Sequence, residues 1–184
     1  MTDLRLWWWR TVHGPSAWTR RAPVVLLGVS GAIVSTYLAM YQYHLIDVVW
    51  DPLFGDGSRQ VLTSALSRAL PVHDAALGAA AYLAEVVLEL SGSSRRWRDA
   101  PWLVLLLGVV AAAMAATAVA LLAVQALVVH AFCTLCLVSA VISGIVPFLV
   151  ADEVVAAARQ VRRGRRFGLP LWRALRGRVG PSTT

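Results

Sequence analysis

Four stretches of the chain are apolar over nearly their whole length, and polar or charged segments separate them. A helix needs about 20 mostly apolar residues to cross a bilayer, because each residue adds about 1.5 Å and the hydrocarbon core is about 30 Å thick. The predicted spans run from Pro23 to Ile46, His73 to Leu90, Trp102 to Val128 and Phe132 to Ala151. The second is the weakest, since Glu85 and Glu89 lie inside it. This pattern predicts an all-α membrane protein, a bundle of four transmembrane helices.

The segment between the first two spans has a different pattern. Asp, Pro and Gly, which favour turns, dominate residues 51–57. From Ser58 to about Leu70, apolar residues then recur at helical spacing. We expect Ser58 to cap a short half-helix that lies over the mouth of the bundle. The alternative is a simple outer connection.

The charges give the predicted bundle an orientation. The chain has seventeen basic residues, all of them Arg, and a net charge of +7. A basic balance can indicate a nucleic-acid partner, but here the arginines flank apolar segments, so membrane lipid is the expected partner instead. All except Arg59 and Arg68 lie before span one, between spans two and three, or after span four. The positive-inside rule then places both termini in the cytoplasm and residues 47–72 outside, in a multi-pass protein of the cell membrane.

Three parts of the chain follow from this orientation. Residues 1–22 form a basic, Trp-rich cytoplasmic N-terminus, residues 23–152 form the membrane domain, and residues 153–184 form an Arg-rich cytoplasmic tail.

Both cysteines stand in one run, Cys133-Thr134-Leu135-Cys136, at the start of the fourth span. Their spacing places both sulfurs on one helix face, and a helix N-terminus favours a thiolate. Such a pair can cycle between dithiol and disulfide on the outer side of the membrane, where disulfides persist. Cys136 lies about 4.5 Å further along the helix axis. We therefore expect Cys133 to lie nearer water and a protein thiol, and Cys136 to lie nearer the lipid, within reach of a quinone.

Other interpretations of these residues stay open. Cysteines in apolar helices are often packing residues. A metal site is a second alternative, with His130 and the two cysteines as ligands and His73 or His44 as a fourth. His130 either tunes the thiolate or only sits at the interface. Glu85, inside a predicted span, either has a functional role or is protonated and has none.

At this point the order of motifs resembles the vitamin K epoxide reductase family, in its bacterial form, over roughly residues 23–152. The residues that carry the resemblance are the CxxC run, Gly31 and Tyr37-Leu38 in the first span, the segment Ser58-Arg59-Gln60-Val61-Leu62-Thr63-Ser64, and Pro71, Gly78 and Tyr82 at the entry to span two. The outer-loop segment is similar to the family pattern Cys-x-x-Val-Leu-Ser-Ser.

The resemblance implies an enzyme, a quinone-linked thiol–disulfide oxidoreductase. It implies that Cys133 and Cys136 are catalytic and that Ser64 and Cys136 lie beside a quinone of the ubiquinone or menaquinone type. It also implies that an extracytoplasmic thiol or a thioredoxin-like protein supplies the electrons.

The chain departs from the family pattern in one respect. Typical members carry a second cysteine pair in the outer loop, which relays electrons to the CxxC pair. Here Ser58 occupies the second of those positions, and the first falls near Asp51 or Pro52. Either a partner thiol reaches Cys133 directly, or the chain has left the usual reaction. The alternatives are a non-catalytic membrane module, such as an assembly or partner subunit on the same fold, and a membrane protein that handles a metal or haem.

Overall fold

The computed structural model describes residues 14–64 and 73–177, and every regular element within these two ranges is a helix. In chain order the elements are α1 (Trp18–Gln42), α2 (Gly57–Leu62), α3 (Asp74–Leu90), α4 (Arg96–Asp99), α5 (Pro101–Val124), a π-helical turn (Gln125–Val129), α6 (Thr134–Arg166) and α7 (Leu171–Leu175). The predicted all-α class is confirmed for the part of the chain that the structure describes. The Trp-rich segment around Trp7 and the motif residue Pro71 lie outside it.

Three helices are long and apolar enough to cross a membrane: α1, α5 together with the π-helical turn, and α6. Helix α3 has 17 residues, which corresponds to about 25 Å along its axis. That length is less than the thickness of a typical hydrocarbon core, and two glutamates lie in the helix. Within the described residues the fold is therefore all-helical with three candidate spans, and the count of four spans is not confirmed.

The four long helices pack as a bundle. Helix α3 lies mainly against α1, and α6 lies mainly against α5, while α1 also touches α6 and α3 touches α5. Glycine residues permit the closest contacts between helices. A Cβ atom at Gly31 would come within 2.5 Å of the Tyr82 ring, and one at Gly108 within 2.7 Å of Val154. Small residues at these positions thus let the helices pack closely. On the outside of the bundle, large apolar side chains such as Phe148 (83% exposed) face the lipid.

The outer half-helix differs from its prediction. Helix α2 begins at Gly57 and follows Asp56, whose side chain makes no capping hydrogen bond. Ser58 therefore lies in the first turn and does not cap the helix. The α-helix ends at Leu62, and the predicted continuation toward Leu70 falls outside the described residues.

A buried ionic cluster joins the helices at the end of the bundle opposite the cysteines. The Arg96 side chain lies between two carboxylates, with Nη2 2.6 Å from Oε2 of Glu89 and Nε 2.6 Å from Oε1 of Glu153. The Ser16 hydroxyl donates to the same Glu153 oxygen at 2.5 Å. Glu89 thus has a cation beside it, which is how an ionised carboxylate is tolerated in an apolar bundle.

Two of the arginines that the sequence assigned only to orientation are part of this buried structure. Arg21 and Arg96 are both 1% exposed. Arg21 donates to the carbonyls of Ser91 and Gly92, and Arg96 donates to the carbonyl of Leu88. These carbonyls lie at the C-terminal end of α3, where helical partners are missing. The two guanidinium groups therefore close the end of that helix.

Candidate redox site

The two cysteines meet at the N-terminus of α6. Cys133 is the N-cap residue, with an extended backbone (φ −112°, ψ 120°), and Thr134 begins the helix. The backbone N–H of Cys136 donates to Sγ of Cys133 over 3.1 Å. Both residues are free thiols in this structure. The spacing predicted this pairing, and the fold adds that the Cys133 sulfur takes the place of a capping oxygen.

The surroundings of Cys133 favour its thiolate. A hydrogen bond from the Cys136 thiol lowers the pKa of Cys133 to about 7. Burial acts in the opposite direction, as does the charge of Asp51, while the Ser58 hydroxyl and the Cys136 backbone N–H assist the lowering. Cys133 is thus more readily ionised than an ordinary thiol, which suits a nucleophile or a leaving group in thiol–disulfide exchange.

The expectation that Cys133 lies nearer water is wrong. Cys133 is 0% exposed, whereas Cys136 is partly exposed. The reason is the outer loop, which packs directly on the residues before the helix. Gly57 lies against the carbonyl of Phe132 so closely that no Cβ atom fits between them. Helix α2 therefore covers Cys133, and Cys136 is the more open of the two sulfurs.

Asp51 ties this loop to the CxxC run. Its Oδ2 atom accepts hydrogen bonds from the backbone N–H and the hydroxyl of Ser58, at 2.9 and 2.7 Å. Its Oδ1 atom accepts from the backbone N–H of Phe54 at 3.0 Å and from the hydroxyl of Thr134, which stands between the two cysteines. One carboxylate thus holds both sides of the site together.

Asp51 stays ionised in this position. Burial favours raising its pKa, but hydrogen bonds from Thr134, Ser58 and two backbone N–H groups outweigh burial and hold the pKa of Asp51 well below its ordinary value. The sequence suggested only a turn residue here. A single Asp in a turn gives no signal that it will reach a residue eighty positions away.

Gln125 supports the site from the other side. It lies in the π-helical turn at the end of α5, is buried, and accepts the backbone N–H of Cys133 on Oε1 at 3.3 Å. His130, five residues after Gln125, has a left-handed backbone (φ 53°) and ends the turn. π-Helical turns are frequent at functional sites. Gln125 is a site residue that the sequence did not predict, although a lone Gln at the end of an apolar span is a signal that points to it.

The walls around the pair are mainly apolar. The cluster that includes Cys133 is formed by Leu38, Ala39, Val61, Leu62 and Ala75, with Val34, Tyr41, Val49, Ala76, Val129, Ala131, Leu135 and Cys136 packed against it. One polar pair interrupts it, since Nε2 of Gln42 donates to Oδ1 of Asp74 at 2.5 Å. Asp74 also lies within electrostatic range of Cys136. The pair thus lies in an apolar wall with a few polar groups, which is the usual lining of a small-molecule site.

The remaining predicted site residues are placed less decisively. Ser64 is half-buried just beyond α2, and its backbone N–H donates to the carbonyl of Val61 at 3.2 Å. Its role toward a quinone stays a prediction. His130 is exposed, and Tyr43 stacks against His73 with ring centres 4.7 Å apart. Within residues 14–64 and 73–177, no group of three or more His, Cys, Asp or Glu side chains is arranged to hold a metal ion, so the metal alternative gains no support there.

Comparison with known proteins assigns the chain to a family. A profile of the vitamin K epoxide reductase family matches residues 22–151, a region that includes most of α1, the outer loop, α3, α5 and the CxxC run. No match was found among curated proteins. The matched region covers well over half of the sequence. The chain therefore belongs to the vitamin K epoxide reductase family.

Proposed function

We propose that this protein is a membrane enzyme that oxidises an extracytoplasmic thiol and passes the electrons to a quinone of the ubiquinone or menaquinone type. Family membership supports membrane, quinone-linked redox activity in general. The observation that carries the finer proposal is the Cys133–Cys136 pair, held at a helix N-terminus with one sulfur acidified and the other partly open to an apolar wall.

The proposed topology has four spans, with α3 as the second, both termini in the cytoplasm and the CxxC pair at the outer face. Its support is the distribution of charge. Arginines surround the end of the bundle where α4 and the C-terminal part of α6 meet, and they include Arg98, Arg159 and Arg163. The cysteines lie at the opposite end of α6, about 30 Å from Glu153 along the helix axis.

The proposed reaction has two halves that balance. First, a thiolate of the partner attacks Sγ of Cys133, the bond between the two enzyme sulfurs breaks, and Cys136 leaves as a thiolate. The second thiol of the partner attacks its own linked sulfur, so the partner departs as a disulfide and Cys133 is released. Two electrons have then moved to the enzyme.

In the second half Cys136 transfers its proton to the Cys133 thiolate, and the Cys136 thiolate so formed attacks the quinone. Cys133, again as a thiolate, then attacks Sγ of Cys136, which restores the disulfide and releases the reduced quinone. The dithiol loses two electrons, which reduce the quinone, and also loses two protons; the quinone takes up two protons as it becomes a quinol. The acidified Cys133 supplies the attacking thiolate near neutral pH. Ser64 is proposed to donate a hydrogen bond to the quinone, on the strength of the family pattern.

Burial of Cys133 sets one condition on this reaction. Because α2 covers the sulfur, the outer loop must move before a partner thiol reaches it. The same observation favours a second candidate function, a non-catalytic membrane module whose cysteines stay sealed under the loop.

The test is oxidation of a dithiol by the purified protein in lipid with an added quinone. We expect turnover that depends on quinone and is abolished in Cys136→Ala, while Val141→Ala, an exposed position on the same helix, leaves it unchanged. In Cys136→Ala we also expect Cys133 to retain its physiological partner as a mixed disulfide. Undiminished turnover without Cys136 contradicts the proposal. An inert CxxC pair with intact partner binding favours the non-catalytic module.

A further inference from the structure

We propose that a line of buried polar side chains carries protons from the cytoplasmic end of the bundle to the redox site. This polar line consists of Glu89, Glu85, Tyr82, Ser143 and Ser139. The proposal rests on the proposed function, because protons are consumed beside Cys136 only if a quinone is reduced there.

The half of the line nearer the cysteines is hydrogen-bonded across the bundle. The Tyr82 hydroxyl lies 2.7 Å from Oγ of Ser143 and donates to the carbonyl of Ser139 at 2.8 Å. The Ser139 hydroxyl is buried and has no hydrogen-bond partner within the described residues. Ser139 follows Cys136 by three residues, so the two side chains occupy the same face of α6. The line therefore ends one helical turn from the sulfur that faces the apolar wall.

The half nearer the cytoplasm runs along α3. Glu85 is 1% exposed, and its Oε2 atom makes no hydrogen bond to any part of the chain that the structure describes. It lies within electrostatic range of Tyr82, one turn toward the cysteines, and of Glu89, one turn away from them. On α1, Gly28 lies beside this carboxyl group, since a Cβ atom there would lie 3.8 Å from Oε2. A buried carboxyl without a partner is unfavourable for stability and is a feature of proton relays in membrane proteins.

The line reaches the cytoplasmic end through the ionic cluster. Glu89 is bonded to Arg96, Arg96 to Glu153, and Glu153 to Ser16, which precedes α1. Glu89 and Tyr82 are seven residues apart on α3, and Ser143 and Cys136 are seven residues apart on α6, so each half covers about 10 Å. Along the helix, Glu85 is the carboxyl group that stands between Glu89 and Tyr82.

The consequence is a reaction that moves charge. The thiol partner releases its two protons outside, and the quinone takes up two protons that come from the cytoplasm through the polar line. Electrons pass between groups at the outer face. Each turnover therefore transfers positive charge outward and leaves the inner side negative.

The main experiment uses proteoliposomes with a pH-sensitive dye trapped inside, a quinone in the bilayer, and a membrane-impermeant dithiol added outside. Only molecules whose CxxC pair faces outward react, so mixed orientation does not matter. We expect the interior to become alkaline with two protons consumed per quinone reduced, and we expect an imposed inside-negative potential to slow turnover. Turnover without either effect overturns this proposal and leaves the proposed function intact. Complete absence of turnover overturns both.

Variants locate the path. In Glu85→Gln we expect quinone reduction to fall by roughly tenfold or more and internal alkalinisation to be lost, with recovery in Glu85→Asp. The matched control is Asp152→Asn, an exposed carboxylate of the same end that pairs with Arg20 and should leave both readouts unchanged. Undiminished internal proton uptake in Glu85→Gln overturns the proposal. If that variant fails to fold, the wild-type measurements still decide.

A second measurement needs no quinone. A hydrophobic carbodiimide modifies protonated carboxyl groups inside a bilayer, and mass spectrometry reads the modification of Glu85. In sealed vesicles with the cytoplasmic face outward, we expect modification to slow when the pH of the medium alone is raised, and to stay constant when the pH of the lumen alone is raised. The opposite dependence shows that Glu85 exchanges protons with the outer side and overturns the proposal.

Discussion

The hydroxyl of Ser58 donates a hydrogen bond to Oδ2 of Asp51 over 2.7 Å, and this contact closes the outer loop that covers Cys133. A carboxylate and a hydroxyl cannot relay electrons as two thiols do. They hold the loop shut over Cys133 by hydrogen bonds instead. Polar side chains therefore hold the outer loop, and both cysteines of the chain stand in the CxxC run.

The first prediction concerns the strength of this closure. Replacing Asp51 by Asn removes the charge that accepts hydrogen bonds from Ser58, Phe54 and Thr134, so we expect the loop to open more often. Loss of such bonds at a buried site corresponds to about 1–3 kcal/mol. The rate at which a water-soluble maleimide modifies Cys133 should rise several-fold. The control is Asp56→Asn, an exposed loop carboxylate, and an equal rise there contradicts the assignment.

The same carboxylate gives a prediction about pH. Hydrogen bonds hold the folded pKa of Asp51 below its ordinary value of about 3.9. A depressed folded pKa stabilises the fold fully above the unfolded pKa, and this stabilisation is lost only as the pH falls through the folded value. The difference in thermal midpoint between wild type and Asp51→Asn should therefore be the same at pH 7 and pH 5 and should shrink below about pH 4. A difference that has already vanished at pH 5 contradicts an ionised Asp51.

The acidity of Cys133 is testable by titration. The reduced protein should show ultraviolet thiolate absorbance that reaches half its change near pH 7. Because the Cys136 thiol is the largest cause of the lowered pKa, the midpoint in Cys136→Ala should move up toward the ordinary thiol value of about 8.5. Cys133→Ala serves as the control and should lose the transition near neutral pH. Equal titration midpoints for wild type and Cys136→Ala contradict this account.

Patterns along the sequence predicted the parts of this protein that depend on local composition. Apolar runs located α1, α5 and α6, and the CxxC spacing located the thiol pair at a helix N-terminus. The missing parts depend on contacts between distant segments. Nothing near Asp51 indicates that it will bond to Thr134, and nothing near Arg96 indicates that Glu153 will join it.

Burial is the second property that the sequence did not predict, and Cys133 shows why. Its position at a helix start correctly indicated an acidic thiol, but position along a helix does not specify which segment packs over that end. The turn residues before Ser58 predicted a loop there, but they did not indicate which surface the loop packs against. Only the close contact between Gly57 and the Phe132 carbonyl determines that Cys133 is the covered sulfur.

Close packing between α1 and α3 gives the next prediction. A Cβ atom at Gly31 would lie 2.5 Å from the Tyr82 ring, so Gly31→Ala must displace a side chain that is hydrogen-bonded to Ser143. Overpacking of this kind lowers stability by about 1–3 kcal/mol. The matched control is Gly144→Ala on α6, where no heavy atom lies within 4 Å, and we expect its stability to be unchanged or higher. Thermal unfolding in detergent measures both, and equal midpoints contradict the predicted contact.

The buried ionic cluster should be strongly asymmetric in its response to mutation. Arg96→Met leaves Glu89 and Glu153 buried without their shared cation, and such a loss corresponds to about 3–5 kcal/mol. Neutralising both acids as Gln in the same variant should restore part of the stability, because no uncompensated charge remains. Arg98→Met is the control, since this exposed arginine stacks on Trp97 outside the cluster. If the Arg96 and Arg98 variants unfold at the same temperature, the cluster does not stabilise the bundle.

The proposed topology yields the last prediction, on which the side of the chemistry depends. A single cysteine is introduced into a variant that carries Ser at positions 133 and 136, either as Ser93→Cys between α3 and α4 or as Asp56→Cys in the outer loop, both exposed. If α3 crosses the membrane, these positions lie on opposite sides, because one helix separates them. A membrane-impermeant maleimide added to intact cells should modify the cysteine at position 56 and should modify that at position 93 only after the membrane is opened. Modification of both from outside contradicts α3 as a span, and the reverse pattern places the CxxC pair in the cytoplasm.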